Sequence, residues 1–447
     1  MGALGRGREQ HVEGGERQTR FPALAVPEYR RYIGGQIFSM AGNLAQVAGQ
    51  SWLVLDLTDS AVALGVVSAL QFLPVLLLGA RAGAFAGERD RRKVLIVANG
   101  AAGCIGLLLG LVTLLGVVTV PMVALAACLN GITLAFDSPA RSLFALDLVG
   151  AEAITNALSV NSVVTSAGRV IGPAVAALLI ATVGTGACFV VNGLSYLTLC
   201  AVMSTIRARH VRPPATSSRS AWPFATLAEL GPPVCWLLGL IAVFGIFVFE
   251  FEVTLPLVAT QVFDGGAATY GWVSVSFGLG AVVGGLVAAM FGSPSARLLL
   301  AISAAVAVLL ALAAGAPHLA VELVVLPALG ACCVAFLALA NSLLLVSTPD
   351  QARGTVSGLW STAVIGAKPF GSLVAGGVSE LAGTRVTLAL GGVMLGATAT
   401  AARRPLGRLV NMVHTHPQVV PAVESAVEPE ADVELASLPL GPERPTA

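Results

Sequence analysis

Long hydrophobic segments occupy most of the chain, and short polar segments that hold turn residues or charges separate them. Most of the hydrophobic segments are close to the roughly 17–25 residues that an α-helix needs to cross the hydrocarbon core of a bilayer. The pattern predicts an all-α membrane protein with about twelve transmembrane helices. The predicted spans are residues 31–55, 61–86, 94–118, 121–145, 157–182, 187–206, 233–258, 269–291, 298–316, 319–346, 355–380 and 384–402.

The composition excludes a soluble protein. Of the 447 residues, 56% are hydrophobic and only 11% are charged, and the mean hydropathy is +0.86. About a quarter of the residues in a soluble domain are charged. So few charges cannot cover the surface of a soluble protein of this size, but they suffice if lipid covers most of it. The 50 glycines fit this interpretation, because small residues let membrane helices approach closely.

Basic residues fall in every second polar segment. Clusters precede the first span, occupy 89–93 and 207–219, and follow the last span, whereas the other set of loops holds only Arg385. Basic residues concentrate in the cytoplasmic loops of membrane proteins. The sequence therefore predicts a multi-pass protein of the cell membrane with both termini in the cytoplasm.

The spans divide into two sets of six. The segment 207–232, which contains Pro and Ser/Thr clusters, is the longest polar stretch inside the chain and is predicted to be a cytoplasmic linker. The predicted domains are therefore a cytoplasmic tail at 1–28, an N-terminal bundle at 29–206, a C-terminal bundle at 233–402 and a tail at 403–447. The last tail is acidic and rich in proline, so we expect it to be disordered.

The two halves share a weak internal repeat. Gly172 and Pro173 in span five correspond in position to Lys368 and Pro369 in span eleven. Parallel six-helix repeats, related by an axis along the membrane normal, are one architecture of secondary transporters.

A polar stripe and two cations lie within the spans. Asn43, Gln46 and Gln50 share one face of span one, where they either line a cavity or hydrogen-bond to other helices. Arg169 and Lys368 lie deep in spans five and eleven, where a charge usually faces a cavity or a partner. The alternative is a structural charge paired near the inner surface. If both face a cavity, they suit an anionic or carboxylate-bearing substrate.

Acidic residues within the spans are few, and they are the candidates for proton coupling. Glu250 and Glu252 in span seven cannot share one helix face, so at most one is expected to point directly into a cavity. A carboxyl group there can load and release a proton as its surroundings alternate. The alternative is solvation near the outer interface. Asp137 and Arg141 are four apart, which predicts a structural ion pair at the inner end of span four.

Several segments, taken together with their order and spacing, resemble one transporter family. They are residues 52–58, 83–93, 136–141, 156–162, 169–173 and 353–354. The chain resembles the major facilitator superfamily, and within it the branch of enterobactin exporters and macrolide-efflux proteins called transmembrane secretion effectors. The resemblance runs from Tyr29 to Arg404 and implies the major facilitator fold, with substrate bound between two six-helix bundles.

The loop at 83–93 resembles the superfamily signature between helices two and three. In that signature a glycine lets helix two approach a neighbour, and an acidic and basic network latches the inner face. The matching residues are Gly83, Asp90, Arg91, Arg92 and Lys93. Gly87 and Glu88 depart from the signature, so the latch is rewired or weakened. The alternative is a plain basic loop that only sets the orientation.

Span five resembles the motif in helix five of drug–proton antiporters. The match is carried by Gly168, Gly172 and Pro173, and alanines replace the closing glycine pair. Proline lacks an N–H group, so the helix can bend there. We expect the two glycines, four apart on one face, to permit close packing between the halves. A packing kink without any role in antiport is the alternative.

The resemblance implies a secondary active transporter that exports a small amphipathic molecule, such as a drug, a natural product or a siderophore, by alternating access. Inward proton flow would drive export, with Glu250 as the proton carrier and Glu252 in reserve. An importer of the same fold is the alternative, and a polytopic membrane enzyme is a weaker one, because no nucleophile–base arrangement is visible. The expected partners are the substrate, protons and lipid. No nucleic acid, metal or cofactor is expected, and the protein is predicted to be a monomer.

Overall fold

The computed structural model describes residues 22–206, 223–290, 295–348 and 353–415, and these residues are helical nearly throughout. The predicted tails and linker lie partly outside these ranges, at 1–21, 207–222 and 416–447. The helices are α1 Pro22–Ala25, α2 Pro27–Thr58, α3 Ala61–Glu88, α4 Arg91–Leu114, α5 Val120–Thr182, α6 Thr185–Thr205, α7 Pro223–Phe247, α8 Phe251–Leu257 with a π-helical turn Val258–Val262, α9 Ala267–Met290, α10 Ala296–Ala314, α11 Leu319–Val346, α12 Arg353–Val364, α13 Lys368–Ala382 and α14 Thr384–Thr415.

The fold confirms the predicted all-α membrane protein. Within the described ranges, ten helical segments are long and apolar enough to cross a membrane. The polar first helix α2 and the interrupted pair α12–α13 are not among those ten, and they occupy the positions of predicted spans one and eleven. Adding them gives twelve crossings, which is the predicted number.

Spans four and five are joined without a loop. Helix α5 runs through both of them and bends at Gly150, whose φ of 75° and ψ of 175° interrupt the helical geometry. A positive φ strains any residue with a Cβ, so a glycine suits this corner. The short inner loop predicted between these spans is therefore a single-residue corner.

Spans seven and eleven are each broken, which corrects the prediction of continuous helices at 233–258 and 355–380. Helix α7 ends at Phe247 and α8 begins at Phe251, while α12 ends at Val364 and α13 begins at Lys368. Pro369, near the start of α13, cannot donate a backbone hydrogen bond and so favours the second break. Pro173, its predicted counterpart, remains inside a helix. The repeat-related prolines therefore have different effects in the two halves.

Two predicted domain boundaries also shift. Helix α7 begins at Pro223, inside the segment predicted as linker, and turns at Gly231, whose φ is 79°. Helix α14 continues to Thr415, well past the predicted end of the bundle at residue 402.

The two halves meet along α3 and α13 and along α5 and α9. A Cβ added at Gly65 of α3 would lie 2.5 Å from the carbonyl oxygen of Ser372 in α13. A Cβ added at Gly278 of α9 would lie 2.6 Å from the carbonyl oxygen of Arg169 in α5. Small residues thus bring the backbones of the halves into contact and leave a central cavity between them.

Candidate functional site

A central cavity of about 160 Å³ lies between the two halves. Most of its lining comes from the N-terminal half, and Glu252 and Lys368 contribute from the C-terminal half. The lining side chains that carry polar groups are Asn43, Gln46, Gln50, Gln71, Asn99, Asn130, Thr133, Asp137, Tyr196, Glu252 and Lys368. The cavity is therefore rich in amides and holds charged groups.

The polar stripe of span one both lines the cavity and hydrogen-bonds to other helices. The Tyr196 hydroxyl donates to Oδ1 of Asn43 over 3.1 Å. Nδ2 of Asn192 donates to Oε1 of Gln46 over 2.8 Å. Nε2 of Gln50 donates to Oε1 of Gln71, also over 2.8 Å. The two interpretations of this stripe are thus compatible, because each amide retains groups that a ligand could reach.

Lys368 forms an ion pair at the cavity wall. Its Nζ lies 2.7 Å from Oε1 of Glu252, and it also lies 4.0 Å from the centroid of the Phe72 ring in α3. Phe72 belongs to the N-terminal half, so the ammonium group connects the two halves. Because its charge is balanced by Glu252, the lysine does not make the cavity cationic, which weakens the expectation of an anionic substrate.

Glu250 lies away from the cavity, against α13. Its carboxylate is buried, and Oε2 accepts a hydrogen bond of 2.7 Å from the hydroxyl of Ser372. Oε1 is also buried and has no hydrogen-bond partner among the described residues. Gly371 allows this approach, since a Cβ there would lie 2.8 Å from Cγ of Glu250. Of the two glutamates, only Glu252 lines the cavity.

Asp137 lies in the cavity wall, which the sequence reasoning missed. It forms the predicted ion pair with Arg141, and it also accepts a hydrogen bond of 2.7 Å from Nδ2 of Asn99 in α4. The helical spacing of Asp137 and Arg141 gave a sufficient structural explanation for both residues. Asn99 and Asn130, which are also polar residues within spans, are a further signal in the sequence.

Arg169 lies at the contact between α5 and α9, and it is not among the described residues that line the cavity. Its charge interacts with that of Glu252, but in the described part of the chain no ion pair within 4.0 Å joins them. The two predicted cations are therefore placed differently. Lys368 lies in the cavity wall, whereas Arg169 lies outside that wall, in the interface between the two halves.

The glycines of the helix-five motif pack within one half, and the expectation of packing between the halves is wrong. A Cβ added at Gly168 would lie 2.8 Å from Cγ of Met40, and one at Gly172 would lie 2.5 Å from Cβ of Leu44. Both neighbours are in α2 of the same bundle. The motif thus fixes α5 against the helix that carries the amide stripe.

The inner loop also differs from expectation in part. Gly83 has no neighbour within 4 Å of an added Cβ, so it is not the site of close approach that the signature implies. Arg91 is buried and pairs with Asp147 of α5. Nε of Arg92 donates to the carbonyl oxygen of Met203 over 2.7 Å. These contacts connect α4 to helices of its own half.

Comparisons with known proteins agree with this architecture. Residues 19–433 match the family described as transmembrane secretion effector. A staphyloferrin A transporter of Staphylococcus aureus is 25% identical over 263 residues, covering 57% of this chain and 65% of that protein. The macrolide efflux protein A of Streptococcus pyogenes is 27% identical over 282 residues, covering 61% and 68%. The chain thus spans just under two thirds of the staphyloferrin A transporter that it matches.

A likeness to solved structures supports the fold alone. The crystal structure of the nucleoside transporter NupG matches with a TM-score of 0.65 at 12% identity, covering 84% of this chain and 98% of that one. The family match covers most of the chain, and both relatives are transport proteins. The chain is therefore a multi-pass membrane transporter, not an enzyme, and it belongs to the transmembrane secretion effector family of the major facilitator superfamily.

Proposed function

We propose that the protein exports a small amphipathic molecule, such as a drug, a natural product or a siderophore, in exchange for protons. Family membership supports transport, and the macrolide efflux relative supports the outward direction. The proposal places a single chain in the cell membrane, with both termini in the cytoplasm. The basic segments on one side of the spans support that orientation.

The cluster of Glu250, Glu252 and Lys368 is the observation that carries the proposal. Lys368 contacts Glu252 directly, and its charge also acts on Glu250. Among the described residues, the Glu250 carboxylate hydrogen-bonds only to the hydroxyl of Ser372. Two carboxylates are therefore close to one ammonium group, which contacts only Glu252 of the two, inside the membrane, where uncompensated charge is costly. Arg169 acts on the cluster from a greater distance. Binding of one proton to Glu250 or Glu252 would leave one negative charge, which the positive charge of Lys368 balances.

Competition for Glu252 would couple the proton to the substrate. The ionised carboxylate can hold either Lys368 or a cationic or hydrogen-bond-donating group of a substrate, whereas the protonated group holds them weakly. Proton and substrate would then occupy the site in turn, which is the requirement for exchange. Glu250 acts electrostatically on Glu252, so a proton on one changes the charge that the other experiences.

Transport across everted membrane vesicles tests the proposal, with labelled erythromycin and staphyloferrin A as the probes. We expect the wild-type protein to accumulate at least one probe inside the vesicles when the lumen is acidic. Replacing Glu252→Gln should abolish accumulation against the gradient, because the neutral amide, like the protonated carboxyl group, holds the substrate weakly and cannot take up the proton. Glu322→Gln is the matched control, because Glu322 is a buried carboxyl of α11 that does not line the cavity.

Two results would contradict proton-coupled export. One is wild-type accumulation that persists after the pH gradient is dissipated. The other is accumulation by Glu252→Gln that equals that of Glu322→Gln at the same membrane abundance.

A further inference from the structure

A second concavity, distinct from the central cavity, opens on the side of the N-terminal half. It is a groove of about 660 Å³ between the end of α3, the first half of α4 and the part of α5 before its corner at Gly150. Phe85 of α3 and Phe136 of α5 form one wall, with their rings packed edge to face at 5.7 Å between centroids. The groove lies at the end of the helices that carries the basic loop 89–93.

The open side of the groove faces the surroundings of the bundle and is apolar. Val97 is 71% exposed, Phe85 is 43% exposed and Ile132 is 36% exposed. In a helix that crosses a membrane, such exposed side chains contact lipid. An elongated hydrocarbon chain lying along the helices fits both the position and the chemistry of this lining.

The four basic residues of the loop 89–93 make two different kinds of contact. Arg91 and Arg92 turn inward, where they bind Asp147 and the carbonyl groups at the end of α6. Arg89 and Lys93 instead line the groove, and the Lys93 side chain is 82% exposed. Arg89 lies over the Phe85 ring, with its guanidinium carbon 5.3 Å from the ring centroid.

Asp90 also lines the groove, and its carboxylate already interacts with Lys93. Oδ1 of Asp90 accepts a hydrogen bond of 3.3 Å from the backbone N–H of Lys93, and Oδ2 lies 3.9 Å from Nζ of Lys93. The carboxylate therefore caps α4. With Arg89, Lys93 and Asp90 all charged, the mouth of the groove carries one net positive charge, which complements a single phosphate group.

We infer that the groove binds an anionic phospholipid, with its phosphate between Arg89 and Lys93 and one acyl chain along Phe85, Val97 and Ile132. Guanidinium and ammonium groups both bind phosphate, and basic pockets between membrane helices on the cytoplasmic side bind anionic headgroups. The site is separate from the transported molecule. The inference does not depend on the direction or coupling of transport.

Lipid at this site would touch the wall of the central cavity. Ala98 and Thr133 line both the groove and the cavity, so one layer of side chains separates the two spaces. Occupation of the groove by lipid should therefore support the helix pair α4–α5 that forms this wall. We expect transport in liposomes to be faster when an anionic phospholipid is present.

Native mass spectrometry of the full chain tests the inference, after release from nanodiscs that contain equal amounts of phosphatidylglycerol and phosphatidylcholine with the same acyl chains. We expect the wild type to retain phosphatidylglycerol preferentially. The double variant Arg89→Gln and Lys93→Gln should retain roughly tenfold less of it, since each basic residue near the surface contributes to binding. The matched control, Arg403→Gln with Arg404→Gln, removes two exposed cations elsewhere and should retain the lipid.

A third variant tests the contribution of the apolar channel separately from that of the two basic residues. Val97→Trp fills the apolar channel and leaves both Arg89 and Lys93 in the sequence, and the exposure of Val97 leaves room for the larger side chain. It should also lose phosphatidylglycerol while keeping the wild-type melting temperature. Equal retention of both lipids by the wild type would overturn the inference. So would equal loss of lipid in the Arg89/Lys93 and Arg403/Arg404 variants.

Discussion

Glu250 and Glu252 are two positions apart in the chain and end in different surroundings. Because α7 stops at Phe247 and α8 starts at Phe251, Glu250 lies at the helix break and faces α13. Glu250 as a whole residue is only 2% exposed, whereas the side chain of Glu252 is 29% exposed at the cavity wall. A proton that arrives through the cavity would therefore meet Glu252 first and Glu250 second.

Replacing Glu250→Gln keeps the shape of the side chain and removes its charge. If Glu250 stores the transported proton, this variant should bind substrate and exchange it at equilibrium but fail to export it against a gradient. Substrate binding to purified protein and proton-driven transport in vesicles measure the two properties separately. Glu322→Gln is again the control for removal of a buried carboxyl, and uphill transport at the wild-type rate would exclude Glu250 as the carrier.

At the scale of helices, the sequence predicts the spans well and their interruptions poorly. The number of crossings follows from the lengths of the apolar segments, because the thickness of the bilayer core alone sets the length that a span needs. The breaks in spans seven and eleven lie where the two spans contact each other, and a local signal, Pro369, accompanies only the second break. A Cβ at Gly245 of α7 would lie 2.7 Å from the carbonyl oxygen of Ala363 in α12, and one at Gly371 would lie 2.7 Å from that of Ile246. No local pattern reports which glycines will face each other.

The candidate site shows the same division. The amide stripe of α2 was predictable because three polar residues share a helix face. The assignment of Glu252 to the cavity and Glu250 to its flank was not, since it follows from the break at 248–250. The sequence does not predict that Asp137 lines the cavity, because its ion pair with Arg141 is a sufficient reason for a carboxylate at that position. Cavity walls combine side chains from many helices, and one sequence does not specify that assembly.

The two glycines Gly172 and Gly83 offer a matched test of helix packing. A methyl group at Gly172 would collide with Leu44 in α2, so Gly172→Ala should destabilise the protein by about 1–3 kcal/mol through overpacking. Gly83 has open space around it, and alanine favours helix by about 0.5–1 kcal/mol, so Gly83→Ala should be neutral or stabilising. Thermal unfolding of the purified variants measures both effects. Equal melting temperatures would contradict the packing assigned to Gly172.

At the scale of the whole molecule, twelve crossings place both ends of the chain on one side of the membrane. The basic residues next to α2 and in α14 predict that this side is the cytoplasm. Reporters fused to either terminus should be active only in the cytoplasm, and a reporter inserted after Gly116, in a loop between α4 and α5, should be active only outside. A C-terminal reporter that is active outside would contradict the twelve crossings.

The side opposite the basic segments holds a direct connection between the two halves. Oε2 of Glu380, near the end of α13, accepts hydrogen bonds from the backbone N–H of Ala61 over 2.7 Å and from the Ser60 hydroxyl over 3.2 Å. It also accepts one from the N–H of Val62 over 3.3 Å. A carboxylate is favourable at the N-terminus of a helix, and here the helix, α3, belongs to the other half.

Opening of this side requires these contacts to break, so Glu380 should bias the protein toward the state in which this side is closed. Replacing Glu380→Ala removes hydrogen bonds that contribute about 1 kcal/mol in total at an exposed site, which corresponds to about a fivefold change in the ratio of states. Spin labels on the exposed residues Val62 and Leu381 should then report a larger fraction of long distances. Glu28→Ala, which removes an acidic residue from the first turn of α2, is the control and should leave the distances unchanged. An unchanged distance distribution in Glu380→Ala would show that the glycine contacts between α3 and α13 hold this side closed without the carboxylate.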